Sequence, residues 1–429
     1  MSPSKLRLAI IGGGIGGLTF AVALKECTNI QVDLYEQAHQ ITEIGAGITL
    51  WHRGYEILKL LGLKEDLLRL FNEGPEDVDE QKLSFQYRLS DRKDGLEYFK
   101  LYTKGGGRLF HRQEIQQMLL KHIPDFVTVH LSHQLQCCEE GHDSVKLIFK
   151  DKSEATCDIL VAADGVKSVT RQSIPNDGIF YTGTDVYRGL ISKEKFTKLY
   201  PDHTCLGHPT LFCGKSKYIV SYPISQGQTI NVAASVTKLD DEGKPFIGPE
   251  VRKSTTKELV GLFAGWEDQA VQLLENMENP VCYVLQELHP MKTYVSHRIA
   301  LVGDAAHAMT PYLAAGAGQA LEDGYVLGQL FSQAGPENWL RVLKAYDLVR
   351  RPLGNKLQQD SRVQGLYVQL NAPGFELVKE VGQDLTPEQM NVLRKTVAKH
   401  WLWLDEDVGQ GLARAVEYLN EGKDKTGAQ

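Results

Sequence analysis

A β-prone run, Leu6 to Ile11, breaks at Gly12-Gly13-Gly14-Ile15-Gly16-Gly17, and a helical pattern follows from Ile15 through Lys25. Gly12, Gly14 and Gly17 meet the spacing G-x-G-x-x-G between a strand and a helix, the context in which that spacing has a mechanism. Gly12 permits the tight turn, Gly14 lets backbone amides approach a pyrophosphate at the helix N-terminus, and Gly17 lets the helix pack on the strand. A second β-prone run, Ile30 to Glu36, completes a βαβ unit and predicts a parallel sheet covered by helices. Glu36, at the end of that run, can accept hydrogen bonds from a ribose diol. NAD and FAD both use this fingerprint, so it predicts a dinucleotide without choosing between them.

Further along, Val127 to Leu131, Val145 to Phe149 and Ile159 to Ala163 read as strands, the last ending in Ala163-Asp164-Gly165. Between Tyr187 and Val236 more β-prone runs, including Tyr218 to Pro223 and Thr229 to Val236, are joined by short turns and predict an inserted antiparallel sheet. After a helical stretch around Thr255 to Leu274, the fully apolar run Ile299-Ala300-Leu301-Val302 ends at Gly303-Asp304 and returns to the nucleotide sheet. The tail from about Trp339 is helical, with Thr386-Pro387-Glu388-Gln389 reading as an N-cap followed by proline at the first helical position.

A chain of 429 residues predicts two or three domains. Its 42% apolar and 24% charged residues fit neither disorder nor a membrane-spanning architecture, and no apolar run approaches the length of a span. Met-Ser-Pro-Ser-Lys-Leu-Arg carries no signal-peptide core, so a cytoplasmic location is expected. A net charge of −7 argues against nucleic acid as a partner. The seven cysteines include no Cys-x-x-Cys pair, so buried free thiols and no metal centre are expected. The adjacent Cys137 and Cys138 should point to opposite faces of a strand.

The choice of dinucleotide comes from two other stretches. Cys157 to Arg171, containing Ala163-Asp164-Gly165, and Ala300 to His307, containing Gly303-Asp304-Ala305-Ala306-His307, resemble motifs of the group A flavoprotein monooxygenases. Gly303 to Pro311 followed by Ala315 to Asp323 is similar to the salicylate hydroxylase branch, as are Glu43-Ile44-Gly45-Ala46-Gly47-Ile48 and Arg350-Arg351-Pro352 ahead of Ser361-Arg362. The resemblance spans residues 6 to about 365. It implies an α/β, para-hydroxybenzoate hydroxylase-like fold, in which a Rossmann-like FAD-binding domain carries an inserted, mainly antiparallel substrate sheet and C-terminal helices. The corresponding limits are 1–175 and 296–365 for the two parts of the FAD-binding domain, 176–295 for the substrate-binding sheet and 366–429 for the C-terminal helical segment.

The resemblance also implies tight, non-covalent FAD and transient NADH or NADPH, because only one strand-to-helix G-x-G-x-x-G occurs and no second Rossmann unit is left for a nicotinamide. Asp304 would bind the ribityl chain. The Ala315 to Gly318 segment, with Pro311 before it, would bring the amides of Gly316, Ala317 and Gly318 to pyrophosphate or flavin oxygens. Gly47 belongs to the cofactor set on the same ground. By similarity Arg112 contacts FAD and Asp164 lies near the pyrophosphate; a surface ion pair for Arg112 and a turn-stabilising role for Asp164 are the plainer readings.

The implied activity is hydroxylation of a small electron-rich aromatic with O2 through a flavin C4a-hydroperoxide. Its leading form is hydroxylation of a hydroxy- or aminobenzoate at the carboxylate-bearing carbon with loss of CO2, and its alternative is ring hydroxylation of a phenolic or secondary-metabolite intermediate without that loss. Arg188 matches an arginine aimed at the substrate, with an inter-strand salt bridge as its rival reading. Tyr218 matches a tyrosine that holds the substrate oxygen, with Tyr222 on the same face as its rival and plain sheet packing favoured over either assignment. His307 reads as structural. Tyr312-Leu313-Ala314 and Trp51-His52 depart from the family pattern and suggest a modified pocket. An NAD-dependent dehydrogenase or a non-catalytic protein of the same fold remains open, as does a monomer or a homodimer.

Overall fold

The computed structural model describes residues 5–41, 47–71, 80–224, 227–334 and 338–421. Of the quoted family stretches, Glu43-Ile44-Gly45-Ala46 falls outside the described residues.

Five parallel strands form the nucleotide sheet in the order Ile299–Leu301, Ile159–Ala162, Leu6–Ile11, Ile30–Tyr35, Val127–His130. Burial on both faces explains their unbroken apolar character: Ile159–Ala162 and Ile299–Leu301 are buried throughout. Every residue of the Ile15–Ala23 helix is buried as well. The Gly316–Gln333 helix crosses it closely, since a Cβ on Gly328 would stand 2.4 Å from Cβ of Ala23. Side chains at that crossing would hold the two helices apart, so their N-termini could not share one cavity.

The predicted antiparallel insertion is larger than its sequence limits. Its eight strands run in the order Val251–Lys253, Glu278–Leu288, Ile179–Ser192, Thr229–Thr237, Lys217–Ile224, Thr210–Gly214, Gln81–Leu89, Leu96–Lys104. All neighbours are antiparallel except Thr210–Gly214 with Gln81–Leu89, which are parallel. The last two strands lie well before residue 176, so a division of the chain at 175 does not follow the sheet. Two smaller units complete the strands: a meander of Leu135–Glu140, Val145–Phe149 and Glu154–Cys157, and a ribbon pairing Gly47–Leu50 with Arg108–His111.

The tail is helical, led by the 30-residue Trp339–Val368 helix. The Pro387–Lys399 helix starts as its sequence predicts: Thr386 Oγ1 accepts from the Gln389 N–H, Gln389 Oε1 accepts from the Thr386 N–H, and proline opens the helix. The Leu402–Asp405 turn that follows, with Trp401 just before it, brings Trp401 and Trp403 onto the aromatic core beside the eight-stranded sheet. All seven cysteines are free, and Cys157, Cys205, Cys213 and Cys282 are buried. Among the described residues no helix is long and apolar enough to cross a membrane.

Candidate active site

The carboxyl ends of the nucleotide strands, one face of the eight-stranded sheet and the loop from Met309 to Ala317 line a cavity of about 300 Å³. Strand ends of this kind are where an open α/β sheet takes its ligand.

Two helices begin at this cavity. Gly14, Ile15 and Gly16 line it at the start of the Ile15–Ala23 helix, and Ala315, Gly316 and Ala317 line it at the start of the Gly316–Gln333 helix. Neither helix has a side-chain cap or an acid in its first turn. Their leading N–H groups lack intrahelical partners, and the positive ends of both dipoles favour anionic oxygens. The tight turn that delivers the first helix needs glycine. Gly12 has φ +104°, and a Cβ there would stand 2.3 Å from the Ala163 carbonyl oxygen.

Arg112 opens the Arg112–Lys121 helix and lines the cavity, its Nη2 only 4.0 Å from where a Cβ of Gly14 would be. The Glu114 side chain accepts from the His111 N–H at 2.8 Å and so fixes that helix start. Asp304 follows Gly303, whose φ is +63°, and lines the cavity in an exposed position. A Cβ on Gly316 would lie 3.9 Å from Asp304 Oδ1, so carboxylate and helix N-terminus are neighbours. Pro311 lines the same wall. Gly47 contributes from the ribbon, where the Tyr222 hydroxyl donates to its carbonyl at 3.2 Å and a Cβ would meet the Tyr222 ring at 2.9 Å.

Other predicted cofactor residues stand back from the cavity wall. Gly12 and Gly17 shape the turn behind it, and Gly318 is not part of the lining. Glu36 is committed to its own backbone, accepting from the Gly13 N–H at 2.7 Å and the Ala38 N–H at 2.8 Å. Asp164 Oδ2 accepts from the N–H groups of Val169 and Thr170 at 3.0 and 3.1 Å, the plainer of its two readings, while Asp164 Oδ1 is buried with no hydrogen-bond partner among the described residues.

The sheet face forms the floor at the other end. Strand register places Arg188 opposite Ala233 and Ala233 opposite Val220, with Tyr218 facing Ser235 and Tyr222 facing Asn231, all on the cavity. Among the described residues no carboxylate pairs with Arg188, whose guanidinium carbon lies 5.9 Å from the Tyr283 ring centre. The predicted rival, an inter-strand salt bridge, is therefore not formed within them. Burial pushes the phenol of Tyr218 well above its usual range, so it stays protonated at any working pH. Tyr222 is also pushed up by burial, with Arg188 opposing, and its hydroxyl is already engaged by Gly47.

Two family departures resolve differently. Tyr312 lines the cavity with its ring 5.6 Å from Tyr218, and its hydroxyl accepts from Gln369 Nε2 at 2.6 Å. Trp51 is not in that lining: its indole N–H donates to the carbonyls of Leu313 and Ala314, holding Ala314 at φ +46°.

Behind the wall, sequence reading missed a fully buried ion cluster. His307 Nε2 meets Asp323 Oδ2 at 2.6 Å, and that oxygen also accepts the Gly303 N–H at 2.9 Å. Arg350 donates to Asp323 at 2.7 Å and to Glu322 and the Gln319 side chain at 2.6 Å each, and Arg53 meets Glu322 from the far side at 3.0 Å. Burial pushes the Asp323 carboxyl up, but His307, Arg350 and the Gly303 N–H outweigh it and hold the group below the usual carboxylate range. The quoted motif residues Arg350 and Glu322-Asp323 carried the signal, since charges of opposite sign in apolar helices must pair.

Two uncapped helix N-termini, a carboxylate beside one and a guanidinium beside the other, fit an elongated dianionic dinucleotide such as FAD. A family model described as FAD binding domain matches residues 5–361. The salicylate hydroxylase of Pseudomonas putida is 32% identical over 427 residues, covering 95% of both chains. The 6-methylsalicylate 1-monooxygenase of Aspergillus terreus is 32% identical over 372 residues, covering 84% of this chain and 82% of its own. The 3-amino-4-hydroxybenzoate 2-monooxygenase of Streptomyces platensis is 30% identical over 369 residues, covering 85% and 89%. A solved salicylate hydroxylase substrate complex superposes with a TM-score of 0.81 at 29% identity, covering 96% of this chain and 98% of that one.

Proposed function

Because the chain belongs to the family built on this FAD binding domain and is an FAD-dependent aromatic monooxygenase, we propose that it hydroxylates a hydroxy- or aminobenzoate at the carboxylate-bearing carbon with loss of CO2. The observation that carries this reading is Arg188, a guanidinium on the cavity floor with no carboxylate partner among the described residues. An aromatic carboxylate supplies the charge that such a group otherwise lacks.

The first turns of the Ile15–Ala23 and Gly316–Gln333 helices would hold the cofactor's anionic oxygens, Asp304 would take a sugar-chain hydroxyl, and Arg112 would neutralise phosphate. Glu36 keeps lone pairs for a ribose hydroxyl beyond the two amides it already serves. Bound there, FAD would supply the redox chemistry that couples oxidation of NADH or NADPH to activation of O2. Arg188 grips the substrate carboxylate. Tyr218, kept as a neutral phenol by burial, hydrogen-bonds the ring donor and so orients the carbon to be attacked. Phe85, Leu211, Val220 and Met309 exclude water from the reacting face. Electron release from an ortho or para hydroxyl or amino group makes the carboxylate-bearing carbon nucleophilic, and rearomatisation then expels CO2.

NAD(P)H oxidation and CO2 release by the purified holoenzyme test this reading against salicylate, 4-hydroxybenzoate, 4-aminobenzoate and simple phenols. Stimulated oxidation with one CO2 per NAD(P)H is expected for at least one acid. Stimulation without CO2 moves the reaction to plain ring hydroxylation, and no stimulation by any acid refutes the substrate class. Asp304→Ala should purify with reduced flavin; unchanged FAD content would overturn that residue's role.

A further inference from the structure

We infer that Trp401 sets the ring size the active-site cavity accepts, an inference that rests on the aromatic-acid reading above. A second cavity lies behind the first, between the C-terminal turn and the edge strand Leu96–Lys104. The outer cavity measures about 390 Å³ and the inner one about 300 Å³. Of the described residues, Trp401 alone lines both. Trp401 stands on the boundary, with Trp51 on the outer side and Phe85 on the inner side packed against it.

That indole is held from several sides. Its N–H donates to the Tyr87 hydroxyl at 3.0 Å, its ring meets Trp51 edge-on at 5.1 Å, and Phe85 packs at 6.4 Å. His400, the residue before it, shares a hydrogen bond of 2.9 Å with Gln364. With the N–H engaged, the ring offers the inner cavity an apolar wall beside Phe85, at the substrate end. A monocyclic acid needs only the inner space, whereas a fused second ring needs the space behind Trp401. Trp401 also lies beyond residue 361, where the family match ends, so it belongs to this chain's C-terminal segment rather than to the shared FAD-binding domain.

The test is a graded series in the holoenzyme, Trp401→Phe, Trp401→Leu and Trp401→Ala, scored by the ratio of kcat/KM for 1-hydroxy-2-naphthoate to that for salicylate and for 4-hydroxybenzoate. Trp401→Phe keeps an aromatic wall without the bond to Tyr87, so its ratio should stay within about twofold of wild type. The ratio should rise about threefold in Trp401→Leu and about tenfold or more in Trp401→Ala, the range in which a hydrophobic pocket discriminates by size. Bound FAD and melting temperature identify any variant that fails to fold, and if Ala fails, the step from Phe to Leu decides. A flat ratio in folded, flavin-loaded Leu and Ala variants overturns the inference. If wild type turns over no benzoate, the substrate reading fails separately, and perturbation of the flavin spectrum by naphthoate against benzoate across the same series still reads the wall.

Discussion

Arg350→Met should be one of the most damaging single changes outside the cavity lining. Arg350 is 1% exposed and its guanidinium serves Asp323, Glu322 and Gln319 together. Methionine fills much of the space but leaves two buried carboxylates short of a cation. Asp323 keeps His307 and the Gly303 N–H, and Glu322 keeps Arg53. Breaking a buried ion pair from one side costs about 3–5 kcal/mol. In a chain this long each kcal/mol moves the melting temperature by about 1 °C, so Tm should fall by about 3–5 °C. The loss should reach the cofactor, because Asp323 also fixes the Gly303 N–H immediately before Asp304. Arg350→Lys retains charge but cannot address three acceptors in fixed directions, and should fall in between. Circular dichroism and flavin fluorescence, followed together on heating, give both readouts. A Tm within 2 °C of wild type with normal flavin content would refute the reasoning.

Three further outcomes are expected. Burial pushes the Glu287 carboxyl up to about 7, with Arg362 opposing at 3.4 Å, so the fold favours its protonated form. The stabilisation is complete below the unfolded value of about 4.3 and is lost as pH rises through about 7; Glu287→Gln should match wild type near pH 4 and exceed it by about 3 kcal/mol at pH 8, and parallel denaturation curves across that window would disprove it. Gly47→Ala should weaken FAD binding about tenfold, equivalent to about 1.4 kcal/mol, because its Cβ would overlap the Tyr222 ring at 2.9 Å; unaltered affinity by fluorescence titration would count against it. Arg188→Ala should raise KM for a benzoate by about 10- to 100-fold, from a charge-assisted contact of about 1.5–3 kcal/mol, with FAD content unchanged; an equal effect on an uncharged phenol would remove the carboxylate from the argument.

Much of this was legible in the sequence because local chemistry and fold agree there. Gly12, Gly14 and Gly17 announce one turn, the apolar runs at 159–162 and 299–301 announce strands buried on both faces, and Thr386 announces a capped helix. Leu83, Phe85, Tyr87 and Leu89 also alternate as a half-buried strand should, yet their membership of the distant substrate sheet follows from pairing with Thr210–Gly214, which no local pattern encodes. Glu36 and Asp164 were legible as acids at the ends of strands, but not their commitment to neighbouring amides, because short-range hydrogen bonds compete with any ligand for a carboxylate. For Trp401, in a tail stretch that reads equally as covering the active domain or packing across a dimer, the pattern did not choose. The indole's position between two cavities depends on how the tail folds back over the edge of the sheet.

The strand order of the nucleotide sheet also bears on how the protein is born. Its central strand, Leu6–Ile11, leaves the ribosome first, yet its neighbour Ile159–Ala162 comes about 150 residues later and the edge strand Ile299–Leu301 about 290 residues later. At about 5–20 residues per second, that edge arrives roughly 15–60 s after the strand it completes the sheet for. Throughout that interval a flat, apolar strand edge has no permanent neighbour. The second helix N-terminus of the cavity, at Gly316, follows later still. Flavin capture is therefore a closing event of synthesis, and a nascent chain stalled before residue 316 presents a half-built cradle to chaperones rather than to its cofactor.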